Sequence, residues 1–247
     1  MAVIKRNSAW LLLLLLLLAC GTAGAQSRRD ILWNIVHNCL GREAAQHAGE
    51  CPAPRQTAAP MPAAANSPEA TRPCRKSTEV WGEAADAFVA IRDIKMCACP
   101  DDHSFIHGLA LPYIKVTGVE DPRRPDGIWA FAWGVALAKI GAAEKQSIGL
   151  VVNPEYGRTQ DQLHVHIVRL RPDYLRRIAS HPEQVLRTVP LRDLSQAWNE
   201  TFAPAGPSGF RDFGLLLTSD GGDGYILRVI DPSVSPEGEY TRWSCPG

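Results

Sequence analysis

The chain has 247 residues, 45% of them hydrophobic, and its 26 basic residues are balanced by 26 acidic ones. A chain of this length and composition folds into one globular domain, or at most two small ones, and is not intrinsically disordered. Because the net charge is zero, the chain has no general attraction for a polyanion, and we do not expect nucleic acid as a partner.

Residues 1–25 have the pattern of an export signal or membrane anchor. Lys5 and Arg6 precede an apolar run from Trp10 to Leu18, which is shorter than the ~20 residues that span a bilayer. Three outcomes stay open: lipidation at Cys20 in a lipobox-like sequence, cleavage after Ala25, and retention as an uncleaved anchor. We therefore expect an exported protein on the periplasmic face of the cell envelope, attached to the membrane in two of the three cases.

Six of the seven cysteines remain when Cys20 is set aside. In an oxidising compartment an even set predicts disulfide bonds, with ~15 possible connectivities. The spacing lacks the paired C-x2-C pattern of a zinc finger. The six are Cys39, Cys51, Cys74, Cys97, Cys99 and Cys245.

Residues 26–79 are predicted to combine a short helix with a long loop. Asp30 is placed to cap an amphipathic helix that runs from Ile31 to Leu40. The Pro- and Ala-rich stretch between Cys51 and Cys74 lacks the large apolar residues of a core. The globular body is therefore expected to span residues 80–247.

This body has the pattern of an α+β fold, with a mainly antiparallel sheet and packed helices. Trp129 and Trp133 fall on a helix with apolar residues on most faces, so we expect them in the core. Strand patterns lie at 87–91, 105–111, 146–152, 162–169, 213–218 and 225–230, and helix patterns at 128–140, 174–179 and 193–202.

The segment from residue 157 to residue 169 carries the strongest indication of chemistry. Gln162, His164 and His166 alternate with apolar residues, directly after a polar loop that contains a glycine. Because a strand sends alternate side chains to opposite faces, these three side chains are expected to share one surface. Two imidazoles at this spacing indicate a phosphate or metal site.

The histidine triad superfamily has an active-site signature that alternates histidine with apolar residues on a strand, and this chain resembles it at Asn153, in the loop 157–160 and over residues 162–167. The wider order of features is similar to the bacterial CDP-diacylglycerol pyrophosphatase family. It includes an early helix with a cysteine, Leu-Pro-Tyr at 111–113, a Trp-rich helix, and Arg-Pro-Asp at 171–173. The resemblance implies a histidine-triad-like (HIT-like) catalytic domain over residues 80–247.

The resemblance also implies a hydrolase that cleaves CDP-diacylglycerol to CMP and phosphatidate at a membrane surface, without a metal or other cofactor. By motif position, His164 would attack the α-phosphate and His166 would be its hydrogen-bonding partner. Gln162 stands where the first histidine usually stands, and its amide can orient a neighbouring imidazole but cannot carry the proton. The phosphate oxygens call for fixed donors, and the candidates are Asn153, Arg158, Thr159 and Gln160.

Two alternatives stay open. His-x-His on a strand also supplies two ligands to carbonic-anhydrase-like zinc sites, so His164 and His166 could serve a zinc-dependent hydrolase or lyase. Because Gln162 cannot carry a proton, a nucleotide-binding module with weakened catalysis is the other alternative. The zinc site would need a third ligand from His37, His47, His103, His107 or His181, none of which stands in a companion motif.

Overall fold

The computed structural model describes residues 28–40, 79–98, 104–202 and 212–242. Within these ranges the chain forms one eight-stranded sheet whose strand pairs are all antiparallel, with helices on both faces. The predicted α+β class with an antiparallel sheet is therefore confirmed.

The strands are β1 (Val80–Ala84), β2 (Phe88–Arg92), β3 (His107–Pro112), β4 (Ile148–Val152), β5 (Val165–Arg169), β6 (Val185–Leu191), β7 (Gly214–Ser219) and β8 (Tyr225–Ile230). Their order across the sheet is β1-β2-β3-β5-β4-β7-β8-β6. The described α-helices are α1 (Ile31–Asn34), α2 (Ile128–Ile140), α3 (Tyr174–Ser180), α4 (Ala197–Phe202) and α5 (Pro236–Tyr240). A π-helical turn, Ile35–Leu40, directly continues α1.

One face of the sheet is covered by α2. Its tryptophans, Trp129 and Trp133, are buried together with Val165 and Ile167 of β5 in the largest apolar cluster. The solvent-facing side of α2 leaves little large apolar surface in water, because its exposed residues are small or charged: Ala130, Gly134, Ala138 and Lys139. The predicted core position of both tryptophans is confirmed.

The opposite face carries two separate apolar clusters with a gap between them. The first packs Val36, which follows α1, against β2 and β3, and the second packs Tyr240 of α5 against β4 and β7. In the row of paired residues that crosses the sheet, His166 lies between Leu109 of the first cluster and Val151 of the second. The gap therefore falls at β5, where histidine takes the place of an apolar residue.

The N-terminal helix differs from its prediction in how it begins. Asp30 makes no capping hydrogen bond with its side chain. Its carboxylate pairs instead with the ammonium group of Lys115, at 3.1 Å. This ion pair and the apolar contacts of the following turn attach the helix to the sheet. None of the described helices is both long and apolar enough to cross a membrane.

Several expectations fall on residues that the structure does not describe. These include the segment 1–25, the loop from Cys51 to Cys74, and two of the possible zinc ligands, His47 and His103. The disulfide pairing stays a prediction as well, because Cys39 is the one cysteine of the six whose side chain lies within the described residues.

Candidate active site

Three buried histidines meet in the gap between the two clusters. His164 precedes β5, His166 belongs to β5, and His107 begins the neighbouring β3. The ring centroids of His164 and His166 are 4.8 Å apart, and those of His166 and His107 are 5.3 Å apart. The structure thus brings the predicted pair together and adds a third imidazole.

His164 is held by a main-chain group. Its Nδ1 lies 2.7 Å from the carbonyl oxygen of Gln162, and because a carbonyl can only accept, the ring proton belongs on Nδ1. Burial lowers the pKa of His164, although the Gln162 carbonyl and nearby carboxylates oppose this. The ring is therefore neutral, and its Nε2 keeps the lone pair that a nucleophile needs.

Asn153 follows β4 and orients His166. Its Oδ1 accepts from the hydroxyl of Ser235 at 3.0 Å, and its Nδ2 donates to Oε2 of Glu237 at 2.8 Å. These contacts fix the amide so that Nδ2 also faces Nε2 of His166, at 3.3 Å. Nε2 is then the acceptor and Nδ1 carries the proton. Burial lowers the pKa of His166 to about 3, although Glu237 opposes this, so this ring is neutral too.

The Nδ1 atom of His166 has no hydrogen-bond partner among the described residues, and it is buried. A buried donor without a partner is costly, and such groups are expected to have a role at functional sites. Within this site, the unpaired N–H is available to an oxygen atom of a bound substrate.

Glu237 lies in the first turn of α5 and is the centre of a buried charge network. Ser235 caps this short helix by accepting from the amide of Gly238. The Glu237 carboxylate accepts from Nε2 of His107 at 2.8 Å and from the ammonium group of Lys95. Burial raises the pKa of Glu237, but the hydrogen bond and charge of His107 and the charge of Lys95 outweigh it and hold that pKa well below its usual range.

His107 lies between two carboxylates. Its Nδ1 is 3.0 Å from Oδ2 of Asp93, on the side opposite Glu237. Burial lowers the pKa of His107, but the two carboxylates outweigh it and raise the pKa. Burial likewise raises the pKa of Asp93, and His107 overcomes this to bring it to about 2. With Lys95, two cations thus compensate two anions, as a buried network requires.

The predicted phosphate-binding loop is only partly at the site. The side chain of Arg158 is buried, pairs with the carboxylate of Glu120, and adds its charge to the effects that lower the pKa of His164. Thr159 is exposed. Gln160 accepts from the main-chain amide of Leu32 at 3.0 Å, so it joins the loop to α1. The structure therefore places Asn153 and Arg158 near the histidines, whereas Gln160 serves the scaffold.

Gln162 differs from its expected role. Its Nε2 donates to the carbonyls of Pro112 and Ile114, at 3.2 and 2.9 Å, and its Oε1 accepts from the amide of Val116 at 3.3 Å. The side chain thus holds the segment after β3. The contact that orients His164 comes from the main-chain carbonyl of Gln162, which any residue at this position would provide.

Among the described residues, one set has the geometry to hold a metal ion. Asp93, His107 and His166 each offer a ligand atom, and these atoms lie within 4.8 Å of one another. This set differs from the expected zinc site of His164 and His166, because it does not include His164. A metal would have to displace the proton that His107 shares with its carboxylates.

Three members of the network, Glu237, Asp93 and Lys95, were missed by the sequence analysis, which gave His107 only as a possible zinc ligand. The sequence signal that could have indicated this network was His107, a lone histidine in the apolar run 105–111. A buried titratable group needs polar partners, so its position predicted that other polar residues lie near it. It could not say which ones.

Comparison with known proteins identifies related chains. Residues 71–189 match the CDP-diacylglycerol pyrophosphatase family. The CDP-diacylglycerol pyrophosphatase of Yersinia pestis is 36% identical over 81 residues, which cover 30% of this chain and 31% of that protein. The probable CDP-diacylglycerol pyrophosphatase of Mycobacterium leprae is 32% identical over 154 residues, which cover 58% and 44%.

A third relative, the probable CDP-diacylglycerol pyrophosphatase of Mycobacterium tuberculosis strain H37Rv, is 28% identical over 128 residues, or 46% of this chain and 49% of the relative. The chain thus matches less than half of the length of each of these curated relatives. The matched region contains β1 to β5 and both histidines of the predicted pair. Over this region, the chain is similar to the CDP-diacylglycerol pyrophosphatase family.

Proposed function

We propose that this protein hydrolyses CDP-diacylglycerol to CMP and phosphatidate through a cytidylyl-histidine intermediate on His164. The observation that carries the proposal is the hydrogen bond from Nδ1 of His164 to the Gln162 carbonyl, at 2.7 Å. It leaves Nε2 unprotonated and nucleophilic in a ring that burial keeps neutral. The family match supports the substrate, because the matched relatives are named for it.

The chemistry runs in two steps. Nε2 of His164 attacks the α-phosphorus, a P–N bond forms, and the P–O bond to phosphatidate breaks. The departing oxygen belongs to a phosphate monoester, which leaves readily, so a hydrogen bond from Nδ1 of His166 is sufficient help. Water then hydrolyses the P–N bond and releases CMP. Arg158, although paired with Glu120, adds positive charge near His164, and the Gln162 carbonyl stabilises the positive charge that His164 gains.

The proposal includes a HIT-like fold, disulfide bonds, and attachment to the periplasmic face of a membrane. The contacts between the N-terminal segment and the active-site loop support the last of these. The guanidinium group of Arg29 donates to the Asp161 carboxylate at 2.7 Å, and Gln160 accepts from the amide of Leu32 at 3.0 Å. A lipid tether or anchor within residues 1–25 would hold this loop near the bilayer that contains the substrate.

The test is a trapping experiment with CDP-diacylglycerol labelled at the α-phosphate. The full-length protein is incubated with substrate, quenched in alkali, and examined for an acid-labile label on the protein. His164→Asn should abolish the label and reduce turnover at least ~1,000-fold. His181→Asn is the matched control, because His181 is exposed and pairs with Glu183 away from the site. Turnover at the wild-type rate in His164→Asn would refute the nucleophile.

A metal-dependent hydrolase is the second candidate, because Asp93, His107 and His166 have the geometry of a ligand set. It predicts stoichiometric metal in the purified protein, chelator-sensitive turnover, and no covalent label. Label formation that resists chelators would exclude it. A module with weakened catalysis would instead bind a cytidine nucleotide without turning over CDP-diacylglycerol.

A further inference from the structure

The two oxygen atoms of the Glu237 carboxylate have different partners. Oε1 accepts from Nε2 of His107 at 2.8 Å and from the ammonium group of Lys95. Oε2 accepts from Nδ2 of Asn153 at 2.8 Å and lies 3.6 Å from Nε2 of His166. The cationic partners of Oε1 thus fix the carboxylate, and Oε2 is left to orient Asn153.

We propose that Glu237 is a positioning residue that acts on His166 through Asn153, so that the Nδ1–H group of His166 faces the oxygen that departs from the α-phosphorus. The inference rests on the proposed function and adds a residue from outside the family match, which ends at residue 189. Glu237 itself does not touch the substrate. Its action is to fix which nitrogen of His166 carries the proton.

The tautomer follows from a chain of hydrogen bonds. Oε2 of Glu237 can only accept, so the NH2 group of Asn153 must face it, and the same NH2 group then donates to Nε2 of His166 at 3.3 Å. The ring proton is therefore held on Nδ1, which is buried and has no partner in the described part of the chain. No proton is transferred, because the N–H group only donates a hydrogen bond as the P–O bond breaks.

Glu237→Gln keeps the size of the side chain but breaks this chain of hydrogen bonds. In one orientation its NH2 group faces the NH2 group of Asn153, which must turn and present an oxygen to His166. In the other orientation its NH2 group faces the donors of His107 and Lys95. Either way a donor meets a donor, so the variant should lose the preference for the Nδ1–H tautomer of His166.

The experiment compares two aryl esters of cytidine 5′-monophosphate as substrates of the full-length protein. The 2,4-dinitrophenyl group leaves without help, whereas the phenyl group needs a donor at the departing oxygen. Glu237→Gln should slow release of phenol about 10- to 100-fold and release of dinitrophenol less than about 3-fold. In 15N-histidine NMR spectra, the His166 signals should also shift away from the Nδ1–H tautomer.

Glu239→Gln is the matched control, because Glu239 is two residues further along α5 and pairs with Arg177 at 2.7 Å, away from the histidines. It should leave both substrates unaffected. Lys95→Met tests the same hydrogen-bond chain from a partly exposed position. It should also slow the phenyl ester more than the dinitrophenyl ester, to a smaller degree, and it can be measured even if Glu237→Gln does not fold.

Equal losses on both esters, or an unchanged His166 tautomer, would overturn the positioning role while leaving the proposed function intact. Wild-type protein that hydrolyses neither CDP-diacylglycerol nor the esters would overturn both. A flat response in Lys95→Met together with an unfolded Glu237→Gln variant would assign Glu237 to folding alone.

Discussion

Replacing Gln162 by methionine separates its structural role from the chemistry. Gln162 is 1% exposed, and its amide makes three hydrogen bonds with the main chain of the segment from Pro112 to Val116. Methionine has a similar volume but bonds none of these groups. Each bond contributes about 1 kcal/mol net, and all three are lost. We expect Gln162→Met to lower the free energy of unfolding by about 3 kcal/mol.

Thermal unfolding followed by circular dichroism measures this loss. A change of 3 kcal/mol corresponds to a decrease in Tm of roughly 6–12 °C for a body of this size. Gln160→Met is the comparison variant, because Gln160 is only half-buried and its side chain accepts a hydrogen bond from the amide of Leu32. It should lower the free energy of unfolding by about 1 kcal/mol.

Turnover of the same variant distinguishes the two interpretations of this position. The main-chain carbonyl that holds His164 remains in Gln162→Met, so kcat measured well below the Tm should fall less than about 10-fold. If Gln162 were a weakened form of a catalytic histidine, Gln162→His would increase turnover. An increase in that variant, or a Tm unchanged in Gln162→Met, would refute the structural role given to this side chain.

Two further predictions concern stability. Val36→Ala should lower the free energy of unfolding by about 1–3 kcal/mol, because Val36 is fully buried under the sheet. Ile31→Ala is the control and should change the free energy of unfolding little, because Ile31 is 49% exposed. Equal effects of the two substitutions in urea unfolding would show that this segment does not pack as described. Hydrogen bonds from Arg123 hold the pKa of Asp121 below its usual range, so its contribution is present above the usual pKa near ~4 and is lost as the pH falls below it. Asp121→Asn should therefore flatten the decline of Tm between pH 5 and pH 2, and an unchanged slope would contradict this.

The sequence predicted best those elements whose signals are local. The helix α2 has the predicted bounds, residues 128–140, and β8 has its predicted bounds, residues 225–230. In both, large apolar residues lie together in the sequence and are buried together in the fold. The histidine segment was recognised for the same reason, because residues two positions apart on a strand point to the same face of the sheet.

The elements that were missed lie where such signals are weak. The strands β1 and β6 form the two edges of the sheet. Edge strands tolerate exposed and charged side chains, and β6 contains Pro190, which a central strand would exclude. The helix α5 has five residues, one of them a glycine, which is too short for a helical period.

Glu237 could not be predicted because its partners are distant in sequence. It is separated by 84 residues from Asn153, 130 from His107 and 142 from Lys95. No local pattern marks a residue whose role depends on such contacts. Gln162 was singled out because it lies two residues before His164, but this local pattern did not reveal its role. Its side chain bonds a segment about 50 residues earlier in the sequence.

Both ends of the described chain reach the site: the segment from Arg29 contacts the active-site loop across 132 residues, and Glu237 completes the histidine network from the other end. Contacts of this separation form late in folding. The histidine network is therefore complete only when α5 has been synthesised and has docked on the sheet.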